Sequence, residues 1–175
     1  NGALNTDSSK TALTLRIKNG ATIGTVTGAE NAAVEGSVAV EAGDGCSLSA
    51  LYAVKTAGVS GDVSLNLNGG TYNGIGVVTS GAEVKKNLNV TMRNITLRES
   101  AKGAAVDSGC KIVGNVTFDA DGVNALGGDS FTVLKAANCT GKLDVSLKNY
   151  TGSGWTFYGI ESGSYVEGDT DIKIL

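Results

Sequence analysis

The chain has 175 residues and 41% hydrophobic content, enough for one domain with a full core. Its net charge of −3 gives no basic footprint for nucleic acid, and the absence of His excludes Ser-His and His-metal mechanisms. No apolar run approaches the ~20 residues of a membrane helix, so direct membrane insertion is not expected.

The chain opens Asn1-Gly2-Ala3, without Met or a signal pattern, and residues 1–10 read as an N-terminal cap or linker. From there to residue 175 one pattern recurs. Strand-like runs begin at Leu13, Val38, Val63, Leu88, Val116 and Leu143, and a seventh has its matching first position at Thr170. The steps between these anchors are 25, 25, 25, 28, 27 and 27 residues. Within each run apolar and polar residues alternate, as in Val63-Ser-Leu65-Asn-Leu67, which gives a strand one buried face.

Each run ends in Asn or Asp five or six residues past its anchor: Asn19, Asp44, Asn68, Asn94, Asp121 and Asn149. These residues best tolerate the left-handed backbone of a sharp bend. Gly follows in four of the six, at 20, 45, 69 and 122, and a Thr reappears at 22, 71, 96 and 151. A second apolar segment closes most units, among them Leu51–Val54, Ile75–Val78, Ala104–Val106, Phe131–Leu134 and Trp155–Tyr158. Each unit therefore holds two or three short strands.

Asn68-Gly69 between strand-like runs is a hairpin signal when taken alone. A fixed period and no Pro point instead to a coil in which each strand stacks on its counterpart one turn along. The expected fold is a single-domain, all-β parallel β-helix (β-solenoid) of about seven rungs, roughly 30 Å long at ~4.8 Å per rung. The six Asn and Asp residues are expected to form a ladder at one corner. The strand pattern at Asp171–Ile174 suggests a fragment of a longer chain, with end rungs open to self-association.

The units "SGDVSLNLNGGTYNGI" (60–75), "KKNLNVTMRNITL" (85–97) and "VGNVTFDADGVNAL" (113–126) resemble repeats of bacterial right-handed parallel β-helix proteins. They are most similar to the Gly/Asn/Thr-rich repeats of large adhesin-like surface proteins. The resemblance covers about Thr11 to Leu175. It implies right-handed winding, a structural role for the Asn corner, and a cell-surface or secreted, extracellular location.

Candidate chemistry is sparse. Asn5-Thr6-Asp7 and Arg16-Ile17-Lys18 match tripeptides of polygalacturonases, another β-helix family, but that family's "GHG" and paired Asp-Asp are missing. Asp119 and Asp121, at i and i+2, could share a face as a carboxylate pair. Asp107 and Asp129, with Lys111 or Lys135, are further raw material for a lyase-like site, though at non-equivalent rung positions. Cys46, Cys110 and Cys139 read as core thiols, with a Cys110–Cys139 bridge left open. Sequons such as Asn94-Ile-Thr96 follow from the Asn- and Thr-rich composition.

Five of the nine aromatic residues lie between Tyr150 and Tyr165. Trp155 and Phe157 share one face and Tyr158 takes the other, giving a possible sugar-stacking patch or a filled core. Tyr72, on a corner, is a similar candidate. The expected function is a non-catalytic, adhesin-like module that presents a rigid surface to a glycan or a host-surface protein, with no cofactor. A carbohydrate-active β-helix enzyme is the alternative.

Overall fold

The computed structural model describes residues 11–127, 130–152 and 154–175. The expected cap at 1–10, Asn5-Thr6-Asp7 and Asp129 lie outside them. The described residues form strands joined by bends, with no helix among them.

The strands form three sheets of seven, eight and six. Each turn visits all three in order, and every strand pairs in parallel with its counterpart one turn away. The result is a β-solenoid of about six turns, with a seventh strand, Thr170–Ile174, on the first sheet. All seven anchors align: Leu13 with Val38, Val38 with Val63, Val63 with Leu88, Leu88 with Val116, Val116 with Leu143 and Leu143 with Thr170.

The core follows from the alternation. On the first sheet Val38, Val63, Leu88, Val116 and Leu143 stack in one buried column and Val40, Leu65, Val90, Phe118 and Val145 in another. The third sheet adds Val34, Val59, Val84, Ile112 and Cys139. A solenoid has no centre and buries its apolar surface only along such columns, each worth roughly 1.5–3 kcal/mol per large side chain. All three thiols are buried and free.

Two changes in length occur early in the chain, and only one alters the period, because the residue lost at the first corner is regained between Thr79 and Glu83. Between Val38 and Leu48 the first corner takes ten residues, but between Val63 and Tyr72 it takes nine, although Leu48 and Tyr72 are partners. The opposite change occurs on the second sheet. Three residues separate Tyr72 from Ile75, whereas six separate their partners Leu97 and Gly103. Six residues again separate Ala125 from Phe131, and five separate Gly152 from Phe157. The three added residues between Leu97 and Gly103 account for the step of 28.

The Asn/Asp corner is not one ladder. The residue with left-handed backbone always lies two positions before the second-sheet strand: Gly20, Gly45, Gly69, Asn94, Gly122 and Asn149. Asn94 and Asn149 adopt that conformation themselves, while Asn19, Asp44, Asn68 and Asp121 immediately precede a left-handed Gly. Asn68 and Asp121 end their strands opposite Arg93. Asp44 and Asn94 fold their carboxylate and amide oxygens over Gly69 and Gly122 of the next turn, where a Cβ would collide.

The continuous polar ladder lies at the other end of the same strands, one residue before each anchor. The Asp62 N–H donates to Ser37 Oγ (3.0 Å), and Asn87 donates its backbone N–H and its Nδ2 to Asp62 Oδ1 (both 2.9 Å). The N–H of Asn115 donates to Asn87 Oδ1 and that of Lys142 to Asn115 Oδ1, each at 2.9 Å. Beside it runs a column of Gly36, Gly61, Lys86, Gly114, Gly141 and Gly168, glycine in every turn but one. A Cβ on Gly141 would lie 2.5 Å from the Gly114 carbonyl, so stacking at that position requires Gly.

Tyr72 is fully buried at the first corner, in the column of Leu48, Leu97 and Ala125, and its hydroxyl donates to the Gly69 carbonyl at 3.1 Å. This corrects its reading as a surface candidate: the residue after Thr71 points inward. Burial, and secondarily the nearby Cys46 thiol, pushes its phenol well above the ordinary tyrosine range.

Two consequences are testable. Gly141→Ala should destabilise the fold by about 1–3 kcal/mol through overpacking against backbone, whereas Gly58→Ala, with open space around its Cβ position, should leave the melting temperature near wild type. For Tyr72, the unfolded phenol ionises above about pH 10 while the buried one stays protonated, so stability is full below pH 10 and falls as pH rises beyond it. Tyr72→Phe should cost about 1 kcal/mol at neutral pH for the lost hydrogen bond and flatten the alkaline fall. Urea titrations followed by circular dichroism at several pH values would measure both effects.

Candidate functional site

Of the three rings read as a patch, Trp155, Phe157 and Tyr158, Tyr158 is the most exposed, at 43%, and Tyr165 beyond them is exposed at 60%. Phe157 is the strand partner of buried Phe131 and points inward with it, and Tyr158 partners Thr132 on the outer face. Trp155 packs on Tyr150 (ring centroids 5.4 Å) and on Phe131 (6.2 Å), while Phe118 meets Phe131 at 5.4 Å and Phe157 at 5.8 Å. These rings pack together where the turns lengthen. Trp155 and Phe157 are half-buried and packed against the core, while Tyr158 faces outward.

The acids are tied into neighbouring turns. Asp119 forms an ion pair with Arg93, which also donates to the Asp119 carbonyl at 2.8 Å. Asp121 accepts from Asn149 Nδ2 at 2.7 Å. Neither carboxylate is set opposite the other across a cleft. Among the described residues, no three or more His, Cys, Asp or Glu side chains gather as a metal ion would need.

A concavity lies elsewhere, on the outer face of the second sheet. One outward column reads Tyr52, Gly76, Ala104, Thr132 and Tyr158, each paired with the next. Gly76, Ala104 and Thr132, small residues beside Tyr52, floor a trough of about 220 Å³. The Tyr52 ring leans over Gly76, where a Cβ would lie 2.8 Å from Tyr52 Cδ1. Ser130 borders one side.

The other side is a column of polar residues two or three positions further along each strand: Thr79, Asp107, Lys135 and then Glu161. Asp107 and Lys135 thus occupy the same place in consecutive turns, which corrects the expectation that they are non-equivalent. Lys135 Nζ lies 4.0 Å from Asp107 Oδ1, a Coulombic contact longer than a hydrogen bond. Thr79 and Thr132 are buried at 5% and 2% exposure, and Thr132 Oγ1 donates to Glu161 Oε2 at 3.1 Å. Lys55, next in the column, is held by Glu30 at 2.7 Å, and that hydrogen bond raises its pKa.

The site offers hydroxyls, carboxylates and an ammonium on a floor of stacked turns. The sequence signal for it is weak, because Gly74, Gly76, Ala104 and Thr132 are small residues in a chain full of them. The equal interval of Asp107 and Lys135 from their anchors is the one legible clue.

No family model matches this chain, and neither a curated protein nor a solved structure matches it.

Proposed function

We propose that this chain is a rigid, non-catalytic module of an adhesin-like cell-surface or secreted protein, presenting its outer face to a glycan or a host-surface protein. The observation that carries this reading is the trough beside Tyr52, on the column that runs on to Tyr158. Its floor is backbone of stacked turns, so its shape is fixed before a partner arrives, and pre-organisation lowers the cost of ordering on binding. Its walls hold a small number of placed polar groups and the Tyr52 ring, the composition of a recognition surface. The engagement of Asp119 with Arg93 and of Asp121 with Asn149 favours structural roles for those acids.

The expected result on arrays of glycans and immobilised mucin is binding without turnover. Incubation with acidic and neutral polysaccharides, with and without Ca²⁺, should release no new reducing or unsaturated ends. Release that disappears in Asp119→Ala would make the protein an enzyme and overturn the proposal.

A further inference from the structure

We infer that the trough accepts one strand of an uncharged, hydroxyl-rich glycan, lying along the solenoid axis from Tyr52 towards Tyr158. This rests on the reading of the chain as a glycan-binding module and assigns that reading its site and ligand class.

Shape comes first. The floor is a single column, Gly76, Ala104 and Thr132, that repeats once per turn, about every 4.8 Å along the axis. That interval is close to one pyranose unit of an extended chain, so successive sugars meet equivalent positions. At about 220 Å³ the trough is narrow and takes a strand rather than a compact ligand. From Tyr52 to Tyr158 there are four steps of the ladder, about 19 Å at the usual strand spacing.

Chemistry selects the class. Lys135 Nζ and Asp107 Oδ1 stand 4.0 Å apart, too far to satisfy each other by a hydrogen bond. A hydroxyl both accepts and donates, so one sugar hydroxyl can accept a hydrogen bond from Lys135 and donate one to Asp107. A uronate carboxylate can only accept. It would gain Lys135 but meet the carboxylates of Asp107 and Glu161 in the same column, a like-charge arrangement that costs affinity. The buried hydroxyl oxygens of Thr79 and Thr132 add acceptor positions along the strand. Tyr158 ends the floor with an exposed ring suited to a sugar's apolar face.

The test is calorimetric titration of the folded chain with defined oligosaccharides of two to six units, neutral (glucan, mannan and xylan) and uronate (galacturonan). Affinity for a neutral series should rise with length to about four units and then level off. Asp107→Ala and Tyr158→Ala, both at exposed or half-exposed side chains, should each weaken it about ten-fold with unchanged circular dichroism. A uronate series that binds as tightly as the neutral one, or neutral binding that survives both substitutions, would sink this inference while leaving glycan binding in place. No binding to any oligosaccharide would overturn the inference and the functional reading together.

Discussion

Each sheet hydrogen bond in this protein joins residues one full turn apart, so every turn must return its backbone in register with the last. That single constraint organises the rest. The apolar columns exist because Val63 must lie on Val38 and Leu88 on Val63. A residue added to one turn cannot be absorbed locally, because every later strand would slip to the wrong face. The chain meets this by placing its length changes outside the ladders. The first corner gives up one residue after the second turn, the next corner regains it between Thr79 and Glu83, and the segment beyond Leu97 gains three. Most of that added length is kept in the next two turns, six residues from Ala125 to Phe131 and five from Gly152 to Phe157.

Stacking also decides how polar groups are satisfied. At the third corner the backbone turns out of the sheets and its N–H groups lose their ladder partners. Ser37, Asp62, Asn87 and Asn115 supply side-chain oxygens to the turn that follows, each bond again spanning one turn. An unpaired buried N–H would cost roughly 1–3 kcal/mol, so the ladder matters most where the Gly column brings backbones closest. The first corner uses different chemistry. There a left-handed residue makes the bend, and Asn or Asp oxygens cover a Gly in the next turn.

How much of this the sequence discloses depends on which face a residue takes. Inward positions of the first sheet are legible, because V-x-L-x-L recurs at near-constant steps, and all seven anchors fall in register. The corner chemistry is only half legible: Asn and Asp mark the bend, but φ, not residue type, separates Asn94 and Asn149 from the other four. Tyr72 reads as a surface aromatic until the corner length is known, since one residue more or less reverses a side chain. The ladder through Asn87 and Asn115 is hidden for another reason. A polar residue before a strand reads as an ordinary turn, and only the stacked geometry turns four such residues into one chain of bonds.

The trough owes its position to the same constraint. Tyr52 belongs to a turn without the added residues, and Ala104 and Thr132 belong to turns that carry them. Where the short turns meet the long ones, the outer face of the second sheet gains a flank on one side while the floor stays flat. Gly76 lets the Tyr52 ring settle onto that floor instead of standing away from it. Asp107 and Lys135, fixed one turn apart by the register, are held near 4.0 Å without closing into a hydrogen-bonded pair. A surface ion pair so spaced contributes little to stability. The pair is a consequence of stacking, which sets a donor and an acceptor in the same column of consecutive turns.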